Sequence, residues 1–190
     1  MRTVTAMAAL ILAVAGLCAW QQNVPPPPHP SEGGPSLEET MKFIQQKLSA
    51  RGTINYVQVT LIEGDGDTRT RWSMMHSKVI ADAPACRLSY SILATRNGVT
   101  SKPSERELSF KDVERLQVAT YQDAFNTAFS RSAALGDPRV SITPVVHELE
   151  VRLTDGKRYG FLFYEEEMAH RVAKAMLHAV GLCGGGKEPF

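Results

Sequence analysis

The chain has 190 residues, of which 22% are charged and 43% hydrophobic, and its 21 basic and 20 acidic side chains leave a net charge of +1. That balance fits one ordinary domain with tails; it excludes collagen-like, coiled-coil and wholly disordered chains and offers no global field to nucleic acid or an anionic membrane. Three cysteines exclude a disulfide-dense miniature fold and a four-cysteine zinc site.

In residues 1–19, MRTVTAMAALILAVAGLCA, Arg2 is the only charged side chain before Glu32. A basic end followed by an apolar run, Ala6 to Ala19, is the pattern of an export signal, and the run is shorter than the roughly 20 residues a membrane span needs. Cleavage is expected after Ala15 or Ala19. A lipid anchor at Cys18 is disfavoured, because bulky Leu17 stands where a lipobox has a small residue. Residues 20–35 are a linker: Asn23 to Pro35 holds six prolines in thirteen residues, which gives extended chain without a core.

Residues 36–183 form the folded body. Ser36-Leu37-Glu38-Glu39 is a capping box, and Leu37, Met41, Ile44 and Leu48 make one helical stripe that ends at Gly52. Period two follows. In Ile54 to Ile62, Val57, Val59 and Leu61 share a face. In Thr68 to Lys78, Thr70, Trp72 and Met74 oppose Arg69, Arg71 and Ser73. In Cys86 to Thr95, Cys86, Leu88, Tyr90 and Ile92 share a face. Arg96-Asn97-Gly98 is a hairpin turn. A weaker strand precedes Phe110, Val113 to Tyr121 is another, and His147 to Thr154 with Arg158 to Tyr164 form a hairpin around Asp155-Gly156. Residues 122–144 read as an insertion, in which Ala124, Phe125, Ala128 and Phe129 can make one or two helical turns and Gly136-Asp137-Pro138 is a loop. The last element is a helix with Met168, Val172, Ala175, Met176, Ala179 and Cys183 on one stripe and Glu165 to Glu167 in its first turn. Residues 184–190 are a flexible tail.

The hairpin Leu149 to Phe163, followed by Glu165-Glu166-Glu167 and Val172-Ala173-Lys174-Ala175, resembles the last hairpin and capping helix of pleckstrin-homology-like domains, including the GRAM type. The resemblance covers residues 54–183 by element order and 148–182 by pattern. It implies an α+β fold: a seven-stranded, partly open barrel of two antiparallel sheets with an N-terminal helix and a closing C-terminal helix. It implies binding of lipid, peptide or protein without specifying which.

The residues argue against several chemistries. Arg69-Thr70-Arg71 resembles half of a phosphoinositide motif, but Ile54 to Ile62 has no basic residue and Glu63, Asp65 and Asp67 would repel phosphate. His147-Glu148-Leu149-Glu150-Val151 lacks the second histidine of a zinc protease. Glu166 and His170 read as a solvated pair. His76, beside Met74 and Met75, reads as packing rather than a copper ligand. No nucleophile motif, phosphate loop or nucleic-acid platform is present, so no catalytic residue, cofactor or metal site is assigned.

The expectation is an exported, non-catalytic module, in the periplasm, envelope or medium, that binds a protein, peptide or apolar ligand. The rivals are a metal-binding protein or enzyme using His76 or His147 with distant acids, and a structural envelope component. An oxidising compartment and the two apolar stripes also imply a disulfide between Cys86 and Cys183.

Overall fold

Ser36 accepts from the Glu39 amide and Glu39 reaches back to Ser36, closing the capping box that starts α1, Leu37–Ala50. In this computed structural model, residues 34–62, 66–130 and 139–185 are described. The signal at 1–19, with Cys18, and most of the linker and tail lie outside them. The last linker residue touches the fold: the Pro35 carbonyl is 2.9 Å from Nε2 of His178.

Nine strands stand among the described residues: β1 Thr53–Ile62, β2 Gly66–Asp82, β3 Arg87–Arg96, β4 Val99–Thr100, β5 Ser104–Ser109, β6 Val113–Thr120, β7 Arg139–Thr143, β8 His147–Leu153 and β9 Arg158–Phe163. Two more helices are α2, Tyr121–Ser130, and α3, Glu166–Leu182. The fold is α+β, with two antiparallel sheets that do not close into a barrel. One sheet runs β4-β3-β2-β1-β7, with β5 also on β3, and the other runs β6-β8-β9.

Three expectations are corrected. The strands number nine rather than seven. The helical turns expected around Ala124 and Phe125 form α2, but the described end of the 122–144 segment is the strand β7 rather than insertion, and it extends the first sheet by pairing with β1. Its two buried residues, Val140 and Ile142, alternate with polar ones, but so short a run carries little signal. Val57, Val59 and Leu61 do share a face, but it is the outer one, with Leu61 exposed; Ile54 and Tyr56 face the core. The reason is the neighbouring strand: Tyr56 lies opposite Trp72 and Val57 opposite Arg71, so β1 follows the face that β2 buries.

The Asn97-Gly98 turn forms as expected, with φ of 50° and 84°, the left-handed pair a two-residue hairpin needs. In β2 the register shifts between Ser77 and Ile80, at Lys78 with φ 51°, so Val79 rejoins the buried face.

The main core joins Met41, Ile44 and Leu48 of α1 to Leu88, Tyr90, Leu149, Val151, Phe161 and Phe163 of the sheets and to Val172 and Met176 of α3. The buried stripe of α3 is centred on Ala169, Val172, Ala173, Met176, Ala179 and Val180, so Met168 and Ala175 lie at its margin. A smaller second core unites Ile54, Tyr56, Val140, Ile142, Val146 and Leu162. It lies at the β1–β7 end of the large sheet, away from α1 and α3.

Candidate functional site: an aromatic mouth and a buried polar cluster

The second core is bordered at the surface by four partly buried side chains packed against it, Trp72, Met74, Tyr121 and Phe125, which make an aromatic mouth. The period of two that buries Tyr56 also aligns it with Trp72, and the rings stack with centroids 6.4 Å apart. Tyr121, the first residue of α2, meets Tyr56 edge-on at 5.5 Å, and Phe125, one turn later, meets Tyr121 at 6.0 Å. Burial, then the neighbouring Tyr121, pushes the Tyr56 hydroxyl well above the usual tyrosine range. Arg96 lies over the Trp72 ring at 5.5 Å. The indole Nε1 of Trp72 is buried without a hydrogen-bond partner.

α2 is held in place by its polar face. The Thr120 hydroxyl accepts from the Asp123 amide at 3.1 Å. Gln122 accepts from the Ile142 amide at 3.2 Å, and Asn126 accepts from the Val140 amide at 3.2 Å. The first bond caps the helix, the other two bind it to β7, and Tyr121 and Phe125 are left to form the mouth.

Glu148 stands on the face of β8 opposite Leu149, over Gly160 of β9. A Cβ at Gly160 would overlap Oε1 of Glu148, so the carboxyl occupies the place of a side chain there. Burial pushes Glu148 up to about 7, nearby Glu150 pushes the same way, and Arg158 opposes both.

Deeper on the inner face, Arg51, His76 and Tyr90 gather around one ring. His76 is 5.6 Å, Tyr90 5.1 Å and the Arg51 guanidinium 5.7 Å from the centre of Phe161. His76 stacks on Tyr90 at 5.3 Å and lies 7% exposed, while Tyr90 is 1% exposed. Arg51 also covers Phe163 at 5.2 Å and donates through Nη1 to the Leu162 carbonyl at 2.7 Å. Burial lowers Arg51 to about 10, still charged at neutral pH. Burial, then the Arg51 charge, lowers His76 to about 3, against a hydrogen bond with the Gly160 backbone, so the ring is neutral. Arg51 Nε and Nη2, His76 Nε2 and the Tyr90 hydroxyl are all buried without partners.

The sequence candidates are not brought together. Arg69 and Arg71 are exposed on the outer face, opposite Val59 and Val57. His147 pairs in register with Thr120 and Phe163. His170 reaches Glu166 at 3.6 Å on the outside of α3. Among the described residues no group of three or more His, Cys, Asp or Glu side chains could hold a metal ion, and no helix is long and apolar enough to cross a membrane. Cys86 and Cys183 lie at disulfide distance, with Cα atoms 5.9 Å apart across 97 positions. Sequence reasoning missed Arg51, weighed Glu148 only as part of an incomplete zinc-protease motif, and saw Tyr56, Trp72 and Tyr90 only as strand residues. One signal was present: Trp72, Met74 and His76 at period two put two polar rings on a face that also holds Tyr90. The chain matches no family model, no curated protein and no solved structure.

Proposed function

We propose that the protein is an exported, non-catalytic binding module of pleckstrin-homology-like design, and that it takes an apolar ligand at the mouth formed by Tyr56, Trp72, Tyr121 and Phe125. The observation that carries this reading is the half-buried aromatic cluster at the end of the inner sheet face. Aromatic walls supply contact area, and the unpartnered indole N–H of Trp72 supplies one polar contact to orient a ligand. Export rests on the residue pattern of 1–19 and on the close pair Cys86 and Cys183, which suits an oxidising compartment.

A Trp20→Phe variant leaves Trp72 as the only tryptophan, because the chain has two. Titration with the uncharged probe N-phenyl-1-naphthylamine should quench Trp72 emission saturably, and Trp72→Ala should abolish the saturable probe signal. Non-saturating partition with Trp72 emission unchanged would refute the apolar mouth.

A further inference from the structure

Arg51 places a buried cation where among the described residues no carboxylate lies within ion-pair distance of it. Nη1 is committed to the Leu162 carbonyl. The two atoms left without partners, Nε and Nη2, are the side-on edge of the guanidinium, whose two N–H bonds run parallel. That edge matches the two oxygens of one carboxylate. Tyr90, whose hydroxyl is also unpartnered and almost fully buried, packs on the same Phe161 ring, within electrostatic reach of Arg51, and offers a third donor. The rings that touch the guanidinium or stack beside it are apolar or neutral, Phe161, Phe163 and His76, and the one further charge that acts on Tyr90 is the exposed cation Arg106. A buried charge in such a place is costly unless paired, and one negative charge balances it while two would overshoot.

We propose that Arg51 and Tyr90 form a seat for one carboxylate, gripped side-on by Nε and Nη2 and capped by the Tyr90 hydroxyl. Two sources carry this chemistry, a small free acid and the head of an apolar acid. Trp72, Met74 and His76 follow one another on one face of β2 between the mouth and the seat, and the tail of an apolar acid would lie along them. The seat itself does not rest on the mouth reading.

The test uses the folded chain with carboxyl-labelled acetate and decanoate, observed by carbon-13 NMR. A bound carboxyl signal should appear and saturate at one equivalent for at least one of the two acids. Saturation by acetate assigns the seat to a free carboxylate; saturation by decanoate alone assigns it to the head of an apolar acid. Tyr90→Phe keeps the ring and should weaken binding about tenfold, the worth of one hydrogen bond; Arg51→Met should remove it. Circular dichroism checks that each variant folds, and Tyr90→Phe carries the test if Arg51→Met does not. No bound signal from either acid up to about 1 mM, or binding unchanged in Tyr90→Phe, overturns the seat. Decanoate binding that needs Trp72 but neither Arg51 nor Tyr90 overturns the seat and leaves the mouth standing.

Discussion

The carboxyl of Glu148 sits where a side chain on Gly160 would stand, so one strand of the small sheet is built around the acid of the next. An alanine at 160 must push the carboxyl aside. Because the displaced atoms are the end of a side chain that can swing aside, Gly160→Ala should cost only about 1 kcal/mol in urea unfolding, the low end for an overpacked site. Most of that cost should vanish in the background Glu148→Ala, where the obstructing atoms are gone. Equal costs in both backgrounds would show that the two residues do not compete for the space.

Glu148 and His76 should act on stability with opposite signs. Glu148 is raised from the ordinary value of 4.5 to about 7, so its contribution is complete below 4.5 and is lost as pH rises through about 7. His76 is lowered from 6.5 to about 3, so its contribution is complete above 6.5 and is lost as pH falls toward 3. Between 4.5 and 6.5 the two slopes oppose each other. Glu148→Gln keeps the neutral shape and should gain about 1–3 kcal/mol on the wild type as pH rises from 4.5 to 8. It should also expose the His76 slope, with stability falling on acidification below 6.5. The check is the difference between the two urea-derived curves against pH; a flat difference would contradict the buried acid. Tyr56 and Tyr121, which face Glu148, stay neutral throughout this range because burial raises both.

Cys86 and Cys183 should be oxidised in the exported protein. Titration of thiols in denaturant without reductant, with Cys18 absent, should find none, and two after reduction. A bridge across 97 positions is worth on the order of 4–5 kcal/mol at most in the chain-entropy account. Cys183→Ala should therefore lower the melting temperature under oxidising conditions and do so much less under reducing ones. Two reactive thiols in the untreated protein would exclude the bridge.

The end of α3 is also pinned by close approach. A Cβ on Gly185 would meet the Phe110 carbonyl and the Lys111 backbone, which cannot swing away as a side chain can. Gly185→Ala should cost about 1–3 kcal/mol, read as a shift in urea midpoint with unchanged slope. No shift would mean that the chain after Cys183 is not held against the turn at Phe110.

Much of this was legible in the sequence because the signals were local. The Ser36–Glu39 box, the Asn97-Gly98 turn, the β8–β9 hairpin and the α3 helix each declare themselves within a few residues. The Cys86–Cys183 approach was legible because both cysteines lie on apolar stripes that end at the same layer. The mouth was not, because it depends on which face of β1 is buried, and the register with Trp72 decides that rather than the β1 pattern. Arg51 was not, because a basic residue at the end of a helix is ordinarily solvated; only the crossing of β9 past it, and the Leu162 carbonyl, turn it inward. Glu148 was hidden by the same alternation that revealed Leu149 and Val151: nothing in β8 says that its second face is covered too.

The indole N–H resonance of Trp72 tests the binding mouth most directly. In a Trp20→Phe protein it is the single indole signal of a proton–nitrogen correlation spectrum. Addition of N-phenyl-1-naphthylamine should shift it saturably, together with the amides of Tyr56, Tyr121 and Phe125, while Arg69 and Arg71 on the outer face stay in place. An unmoved Trp72 signal, with shifts confined to the outer face around Val57 and Arg71, would contradict the account.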